Sequence, residues 1–392
     1  MQPFDELTVV SLEQAVAAPF ATRQLADLGA RVIKIERPGA GDFARAYDAT
    51  VKGQSSYFVW LNRSKESLTL DLKRPGGSDV LDRLLERADV FVQNVAPGAA
   101  DRLGTSPADL HARFPKLIIC SVSGYGTTGP YASRKAYDLL VQSEVGLLSL
   151  TGSEAEPAKV GISVADIAAG MYAYSGILAA LYARASHGRG AILEVSLFDA
   201  LAEWMSAPAA YADYSGSAPP RSGPHHASIA PYGPVTTRDG QAVYLAIQNA
   251  REWTRLCADV LGQPALATDA RFATNPLRVA NRPALDAAIA TVAATLTAAE
   301  LIGRLDAAQI AYARMNSMAD FVAHPQLTER DRWRQVESPG GPIRALVPPV
   351  IIDDEVPRMD AVPALGAHTD TILRELGFST EAIAAWRTEG TI

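Results

Sequence analysis

Apolar segments and amphipathic segments alternate along the first half of the chain. Short apolar or alternating stretches predict strands at residues 7–12, 31–36, 67–72, 89–93, 117–122 and 191–195. Apolar residues at helical spacing predict helices at 18–28, 77–88 and 197 to about 210, and a mostly apolar run without charge over 167–181 belongs to a longer helix. Apolar strands separated by amphipathic helices are typical of an α/β domain with a mainly parallel sheet.

The pattern changes after residue 205. Residues 206–234 are rich in Pro, Gly, Ser and Ala, which predicts a linker. A strand at 243–247 and short Ala-rich helices to about residue 321 predict a smaller unit, and the tail shows an extended segment at 345–351 and helices at 368–376 and 380–388. We therefore divide the chain into a large α/β domain (1–205), a linker (206–234), a small domain (235–325) and a C-terminal segment (326–392).

Composition and charge restrict the class of protein. A hydrophobic content of 48% and a charged content of 20% are typical of a soluble globular protein. The formal net charge is −7 without a block of consecutive Lys or Arg, so we expect no nucleic-acid partner and no membrane binding. Two distant cysteines and six scattered histidines match neither a disulfide framework nor a common metal-ligand spacing, so we expect no metal. No basic region followed by an apolar stretch opens the chain, which predicts a cytoplasmic protein.

One acidic side chain stands in the first turn of the long apolar helix. The segment 161–171 reads Gly-Ile-Ser-Val-Ala-Asp-Ile-Ala-Ala-Gly-Met, with the carboxylate at Asp166 and a glycine one turn later at Gly170. A charge is costly to desolvate there unless it is paired or functional, and the glycine would let a ligand or another backbone approach. The motif leaves two interpretations open: a carboxylate nucleophile, or a capping pair between Ser163 and Asp166.

Basic and amide side chains follow several of the predicted strands, where open α/β sheets bind ligands. They are Arg37, Lys73, Asn94, Arg102 and Lys135. Several cations at one sheet edge would suit a ligand with several phosphates. The sequence contains no complete dinucleotide fingerprint, no Walker-type Gly-Lys-Ser/Thr and no Gly-x-Ser-x-Gly, which disfavours NAD, ATP and a serine hydrolase.

Taken in order, these segments resemble the class III CoA-transferases, the CaiB/BaiF family that includes formyl-CoA transferase. The resemblance covers nearly the whole chain and rests on motifs at 9–12, 17–20, 28–36, 70–73, 102–104, 124–126, 137–138, 164–170 and 363–369. It implies a large Rossmann-like parallel-sheet domain, a smaller α/β domain, a C-terminal segment that returns to the large domain, and a homodimer of two interlocked chains.

The resemblance also implies roles for individual residues. Asp166 falls on the catalytic aspartate of the family, which carries acyl and CoA groups in turn. The positions that resemble the CoA contacts are Ala17, Arg37, Leu70, Lys73, Asn94, Val95, Arg102, Leu103 and Lys135. Tyr137 and Asp138 fall beside the thioester site. The implied substrates are an acyl-CoA and a carboxylic acid.

Two departures from formyl-CoA transferase bear on the substrates. Val16 replaces a glutamine, and residues 221–232 stand in place of a glycine-rich loop, so oxalate and formyl-CoA are disfavoured. The segment resembles the branch that moves CoA from succinyl-CoA to malate, itaconate, mesaconate or glutarate. A second carboxylate needs a cationic or hydrogen-bonding partner. The candidates are Arg45, Arg221, His225, His226 and Tyr232.

Two other functions compete with the transferase. An α-methylacyl-CoA racemase resembles the chain over the same segments, but its Gly-His-Asp motif is Ala136-Tyr137-Asp138 here, and tyrosine is a poor base near neutral pH. A non-catalytic CoA-binding protein is the third hypothesis, and the presence of Asp166 together with Tyr137 argues against it.

Overall fold

A computed structural model describes residues 2–353 and 355–392. The chain divides into two compact units. The first unit comprises residues 1–145, 161–206 and 326–392, and the second comprises residues 146–160 and 207–325.

A six-stranded sheet is the centre of the first unit. Its strands are β1 (Thr8–Leu12), β2 (Arg31–Glu36), β3 (Lys65–Thr69), β4 (Val90–Gln93), β5 (Ile118–Ser123) and β6 (Ile192–Ser196). They pair in the order β3-β2-β1-β4-β5-β6, and every pairing is parallel. The predicted α/β fold with a parallel sheet is confirmed. The strand order reverses beside β1, and such a point is where open α/β sheets bind ligands beyond the carboxyl ends of their strands.

Helices and a second group of strands complete the chain. The helices are α1 (Ala17–Asp27), α2 (Ser56–Leu61), α3 (Gly77–Leu85), α4 (Ala99–Arg102), α5 (Pro107–Arg113), α6 (Asp138–Glu144), α7 (Leu147–Leu150), α8 (Val164–His187), α9 (Leu197–Trp204), α10 (Ser206–Ser215), α11 (Ala250–Arg255), α12 (Asn275–Ala280), α13 (Arg282–Ala293), α14 (Ala298–Ala307), α15 (Met318–Val322), α16 (Pro325–Thr328), α17 (Thr369–Glu375) and α18 (Thr380–Glu389). The remaining strands are β7 (Tyr232–Thr236), β8 (Ala242–Ala246), β9 (Ala311–Arg314), β10 (Trp333–Val336) and β11 (Ile343–Leu346).

The sheet of the first unit is buried by helices. Val10, Ile33, Phe91 and Ile119 share a cluster with apolar residues of α3, α5, α17 and α18. Each such side chain stabilises the fold by about 1.5–3 kcal/mol when it is fully buried. Outside this cluster, α8 packs on α1 and on β5 and β6.

The helix α8 is long and apolar enough to cross a membrane by length and composition. Most of its buried residues are small, among them Ala169, Gly170 and Ala173, and Gly170 lies where the helix meets α1. This packing is typical of a helix in the interior of a folded domain.

The C-terminal residues 326–392 belong to the first unit. Thr369, at the start of α17, accepts from the backbone N–H of Thr69 at 3.0 Å, and His368 Nδ1 accepts from the N–H of Ser67 at 3.1 Å. An ion pair of 2.6 Å joins Arg31 to Glu375. These contacts fix α17 beside the edge strand β3.

The second unit contains a three-stranded antiparallel sheet in the order β7-β8-β9. Trp253 and Phe272 pack edge to face at 6.3 Å in its core. The predicted linker 206–234 differs in part from the structure, because α10 occupies its first ten residues and β7 begins at Tyr232. Pro208 is tolerated because it lies in the first turn of α10, where a backbone N–H would have no partner within the helix.

Candidate active site

Asp166 lies in the first turn of α8, as predicted, and its side chain is partly buried. Within residues 2–353 and 355–392, its carboxylate makes no hydrogen bond and no ion pair. Burial and the nearby charge of Asp138 raise the pKa of Asp166 to about 7. A carboxylate without a cation is costly to keep in a fold, and such a group is typical of a functional site.

The start of α8 is capped by a side chain from another helix. Ser163 stands at the cap position but makes no side-chain hydrogen bond, so the predicted capping pair of Ser163 and Asp166 is wrong. Asp138 Oδ1 accepts from the N–H of Ala165 at 2.8 Å, while its Oδ2 accepts from Gln142 at 2.7 Å. Asp138 thus fixes the turn that carries Asp166, and a cap of this kind contributes about 0.5–2 kcal/mol.

The loop between β1 and α1 approaches α8 closely. A Cβ atom on Gly170 would lie 2.7 Å from the carbonyl oxygen of Ala17, so only glycine fits one turn beyond Asp166. The sequence left open whether a ligand or another backbone approaches Gly170, and the structure shows a backbone, that of Ala17. Asn94 holds the same loop, because it accepts from the N–H of Gln14 and donates to its carbonyl, both at 2.8 Å. These contacts join the loops after β1 and β4, on either side of the point where the strand order reverses.

Two tyrosines accompany the carboxylates. Tyr137 precedes α6 directly and is 63% exposed. Burial and the charges of Asp42 and Asp166 raise the pKa of Tyr47 to about 12. Tyr47 also packs edge to face on Tyr57, with ring centroids 5.6 Å apart. Sequence reasoning missed Tyr47, because nothing in its neighbourhood along the chain marks it.

The residues predicted to contact CoA lie after the carboxyl ends of the parallel strands, in loops or at helix ends: Ala17 begins α1 and Arg102 ends α4. Arg37, Lys73, Arg102 and Lys135 are exposed. Leu70 and Ala17 are buried, and Asn94, Val95 and Leu103 are partly buried. These residues follow the carboxyl ends of β1 to β5, which share one edge of the parallel sheet, and cations at that edge can approach an anionic group.

Arg45 is engaged within the protein. Its guanidinium donates to both carboxylate oxygens of Glu36, at 2.6 and 2.8 Å, and stacks 3.7 Å from the centre of the Phe58 ring. It also donates to the carbonyl of Pro363. A bidentate pair of this kind is a structural contact, so we do not retain Arg45 as a substrate contact.

The other candidates for acceptor recognition belong to the second unit. Arg221 is engaged, because it donates to the carbonyls of Ser153 and Glu154, both at 2.8 Å. His225 is partly buried and packs so closely on Gly233 that a Cβ there would lie 2.3 Å from its Nδ1. His226 is exposed, stacks on Tyr232 with centroids 5.2 Å apart, and accepts at Nδ1 from the N–H of Ser228. Its Nε2 therefore carries the proton of the neutral ring and can donate to a ligand.

Within the described residues, no group of three His, Cys, Asp or Glu side chains is placed to hold a metal ion. The arrangement around Asp166 suits nucleophilic chemistry. A carboxylate with a pKa near 7 is a better nucleophile than an ordinary one, and the sheet edge beside it can hold a polyanion.

Comparisons with known proteins agree with this arrangement. Residues 4–369 match the model of CoA-transferase family III. An acetyl-CoA:oxalate CoA-transferase from Acetobacter aceti is 38% identical over 87% of this chain and 89% of its own length. A succinyl-CoA:glutarate CoA-transferase from Mus musculus is 32% identical over 96% of this chain and 87% of its own length.

A solved structure is similar over the same extent. The CaiB/BaiF family protein from Brucella suis is 35% identical and superimposes with a TM-score of 0.83, over 96% of this chain and 99% of its own. Sequence and structure thus agree over almost the whole length, and the chain belongs to CoA-transferase family III.

Proposed function

We propose that this protein moves CoA from succinyl-CoA to a short dicarboxylate, with Asp166 as the nucleophile. The observation that carries the proposal is the carboxylate of Asp166, which is raised to a pKa of about 7 and lacks a cation within the described residues of a family III chain. The donor and acceptor follow the mouse relative, which is named for succinyl-CoA and glutarate. Malate, itaconate and mesaconate are acceptors of the same chemical class.

The CoA moiety binds at the carboxyl edge of the parallel sheet. Arg37, Lys73, Arg102 and Lys135 are exposed there, and guanidinium and ammonium groups are the usual partners of phosphates. Ala17, Leu70, Asn94, Val95 and Leu103 supply the remaining contacts. Holding the CoA thioester beside Asp166 lowers the barrier by up to about 7–11 kcal/mol, the range for well-oriented groups.

The reaction proceeds in four balanced steps. Asp166 attacks the acyl carbonyl of the donor, the C–S bond breaks, and CoA leaves as a thiolate. The thiolate attacks the aspartyl carbonyl of the resulting anhydride, which forms an aspartyl-CoA thioester and releases the donor carboxylate. The acceptor carboxylate attacks this thioester, and the thiolate leaves again. It then attacks the acceptor carbonyl of the second anhydride, which forms the new acyl-CoA and restores Asp166.

Each step passes through an oxyanion, and the loop before α1 offers donors for it. The N–H of Gln14 donates to Asn94 and that of Ala15 donates to Asp42, so these two are engaged. The amides of Val16, Ala17 and Ala18 donate to no acceptor in the described part of the chain. We assign the oxyanion contacts to these amides, with Asp138 as the cap of α8 and Tyr137 beside the thioester.

The acceptor is recognised by its second carboxylate. The exposed His226 is the donor we assign to it, with His225 supporting the loop. This assignment follows from the free Nε2 of His226, since Arg45 and Arg221 are engaged within their own units.

The protein acts in the cytoplasm as a homodimer of interlocked chains. Apolar side chains that face solvent in the single chain support the dimer, among them Tyr182 on α8, which is 81% exposed, and Tyr214 on α10, which is 90% exposed. Tyrosine is among the residues that are enriched at interfaces between proteins. A monomer in light scattering at micromolar concentration would contradict the dimer.

A mass-spectrometric exchange screen tests the proposal. Succinyl-CoA is mixed with glutarate, malate, itaconate or mesaconate, and acetyl-CoA with oxalate serves as the competing donor and acceptor pair. We expect a new CoA thioester with a dicarboxylate from succinyl-CoA, its loss in Asp166→Ala, and a transient enzyme–CoA adduct on Asp166. Exchange that persists in Asp166→Ala would overturn the nucleophile, and exchange seen only with acetyl-CoA and oxalate would overturn the substrate pair.

A further inference from the structure

Three carboxylates and three cations lie together beneath the start of α1, and the proposed reaction uses none of them. They are Glu13, Glu36, Asp42, Lys34, Lys65 and Arg45, and we call them the ion cluster. Five of the side chains are fully buried, and Arg45 is 20% exposed. Buried ion pairs are weak evidence for stability, because hydrophobic replacements are often as stable. The ion cluster therefore suggests a role beyond stability.

The ion cluster holds the first turns of α1. Lys65 Nζ lies 2.7 Å from Glu13 and donates to the carbonyl of Pro19 at 3.1 Å. The hydroxyl of Thr22 donates to the other oxygen of Glu13 at 2.7 Å. Helix α1 is thus tied to the cluster at two successive turns.

Asp42 is the member that holds the loop before α1. Its Oδ2 accepts from Lys34 Nζ at 2.8 Å, and its Oδ1 accepts from the N–H of Ala15 at 3.0 Å. Ala15 has a φ of +64°, in the left-handed region that residues with a side chain rarely adopt. The carboxylate therefore fixes a strained residue two positions before the helix.

This loop connects directly to the turn of Asp166. The carbonyl of Ala17, two residues after Ala15, meets α8 at Gly170, one turn beyond the proposed nucleophile. The charges of Asp42 and Asp166 also act on the same phenol, since burial and both carboxylates raise the pKa of Tyr47. A shift of the loop would change the separation between its amides and Asp166.

We propose that Asp42 is a positioning residue for acyl transfer at Asp166. By holding Ala15 in its left-handed conformation, it sets the start of α1 against α8 at the separation that the tetrahedral intermediates require. The inference rests on the proposed function of Asp166. Misplacement of reacting groups by about 1 Å can slow a reaction about 100-fold, which sets the size of the expected effect.

The chain offers a matched control at the other end of the same helix. Asp27, the last residue of α1, is buried and pairs with Arg23 at 2.6 Å and with Arg63 at 2.8 Å. Asp42→Ala and Asp27→Ala each remove a buried carboxylate that accepts three hydrogen bonds, but only the first releases Ala15. The rate of enzyme–CoA adduct formation in a single turnover, the KM for succinyl-CoA and the melting temperature are measured for both variants.

We expect both variants to melt at lower temperature, and only Asp42→Ala to form the adduct about 100-fold more slowly with little change in KM. Adding Ala15→Gly should recover part of that rate, because glycine adopts a positive φ without strain. Equal rate losses in the two variants, or no recovery with Ala15→Gly, would overturn the inference. If Asp42→Ala does not fold, Ala15→Val replaces it, since it strains the same residue and leaves the ion cluster intact. An unchanged adduct rate in Ala15→Val would then reject the positioning role.

The failure of the inference can be told apart from failure of the proposed function. A wild-type enzyme that forms no adduct on Asp166 removes the proposed function itself. A wild-type adduct together with equal rates in the Asp42 and Asp27 variants removes only the role of Asp42.

Discussion

The ion cluster and the start of α8 both hold carboxylates, but only the cluster supplies each of them with a cation. Although burial alone would raise the pKa of Glu36, hydrogen bonds from Arg45 and the charge of Lys34 lower it to about 2. Burial and the charge of Asp138 instead raise the pKa of Asp166 to about 7. Two acidic side chains of one unit thus differ by several pKa units because of what surrounds them. The partners of Glu36 keep it ionised and engaged, whereas Asp166, which has no cation within the described residues, is available for chemistry.

The largest expected effect is the loss of turnover when the unpaired carboxylate is removed. Asp166→Asn keeps the shape of the side chain but cannot form the anhydride, so kcat should fall by at least about 10⁴-fold, as when other enzymes lose a nucleophile. Steady-state exchange of succinyl-CoA measures it. Circular dichroism of the variant is the control for folding, and a variant with more than about one per cent of the normal kcat would contradict the role of Asp166.

The second effect concerns the paired carboxylate. Glu36→Gln leaves Arg45 without its buried partner, and breaking such a pair should lower the free energy of unfolding by about 3–5 kcal/mol in urea titrations. Glu66→Gln is the matched control, because its partner Arg31 is 36% exposed and the expected loss is only about 0–1 kcal/mol. Equal losses would show that burial does not distinguish the two pairs.

The same cluster predicts sensitivity to acid. Because the pKa of Glu36 is lowered in the folded state, its contribution is complete above its ordinary value of 4.5 and is lost as the pH falls towards about 2. The loss of stability on acidification should be smaller in Glu36→Gln. The free energy of unfolding measured between pH 5 and pH 2 should therefore fall less steeply in this variant than in the wild type.

The third expected effect is a gain in stability, not a loss. A raised pKa means that the folded state keeps a proton on Asp166 that the unfolded chain releases above pH 4, so stability falls as the pH rises from about 4 to about 7. Asp166→Asn should therefore stabilise the protein by about 1–3 kcal/mol at pH 8, a value below the full shift because the carboxylate is partly exposed. Thermal unfolding at pH 8 and at pH 4 measures it. The gain should vanish at pH 4, and a variant that is less stable at both values would contradict the unpaired state of the carboxylate.

The fourth effect separates the two causes of the raised pKa of Asp166. In the wild type, kcat/KM should fall about tenfold per pH unit below 7, because protonated Asp166 is not a nucleophile. Asp138→Asn removes the neighbouring charge but keeps an oxygen to cap Ala165, so this acidic limb should move to lower pH. It should not reach the ordinary value of an aspartate, because burial is the larger cause. Asp138→Ala also loses the cap, and its kcat should fall at every pH, while an unmoved limb in Asp138→Asn would exclude electrostatic coupling.

The sequence predicted those parts of the fold that follow from local patterns. The strand β2 has the predicted bounds, 31–36, because Val32, Ile33 and Ile35 are β-branched apolar residues between a charge at each end. Asp166 was placed in the first turn of the long helix, and α8 begins at Val164, two residues before it. The linker 206–234 was predicted from its content of Pro, Gly, Ser and Ala, but alanine favours a helix, and α10 forms over its first ten residues.

The site was predictable where one residue carries the chemistry and not where several segments meet. Asp166 stood out because it begins an apolar helix. The sequence did not reveal that Asp138 caps α8. Asp138 and Asp166 are 28 positions apart, and only the packing of α6 on α8 brings them together. The ion cluster draws on four segments, but it left one signal in the sequence: Lys34 lies in an apolar strand that is buried, and a buried lysine requires partners.

The smallest effect concerns the choice of acceptor, where the two histidines of the second unit differ. His226 is exposed with Nε2 available, whereas His225 packs on Gly233. A hydrogen bond to a carboxylate contributes about 1.5–3 kcal/mol, so His226→Ala should raise the KM for the dicarboxylate about tenfold and change the KM for succinyl-CoA less than about twofold. His226→Gln keeps a donor and should recover part of the loss, while His225→Ala should lower stability without this selectivity. Equal changes in both KM values for His226→Ala would place acceptor recognition elsewhere, because a loop that merely supports the fold would affect both substrates alike.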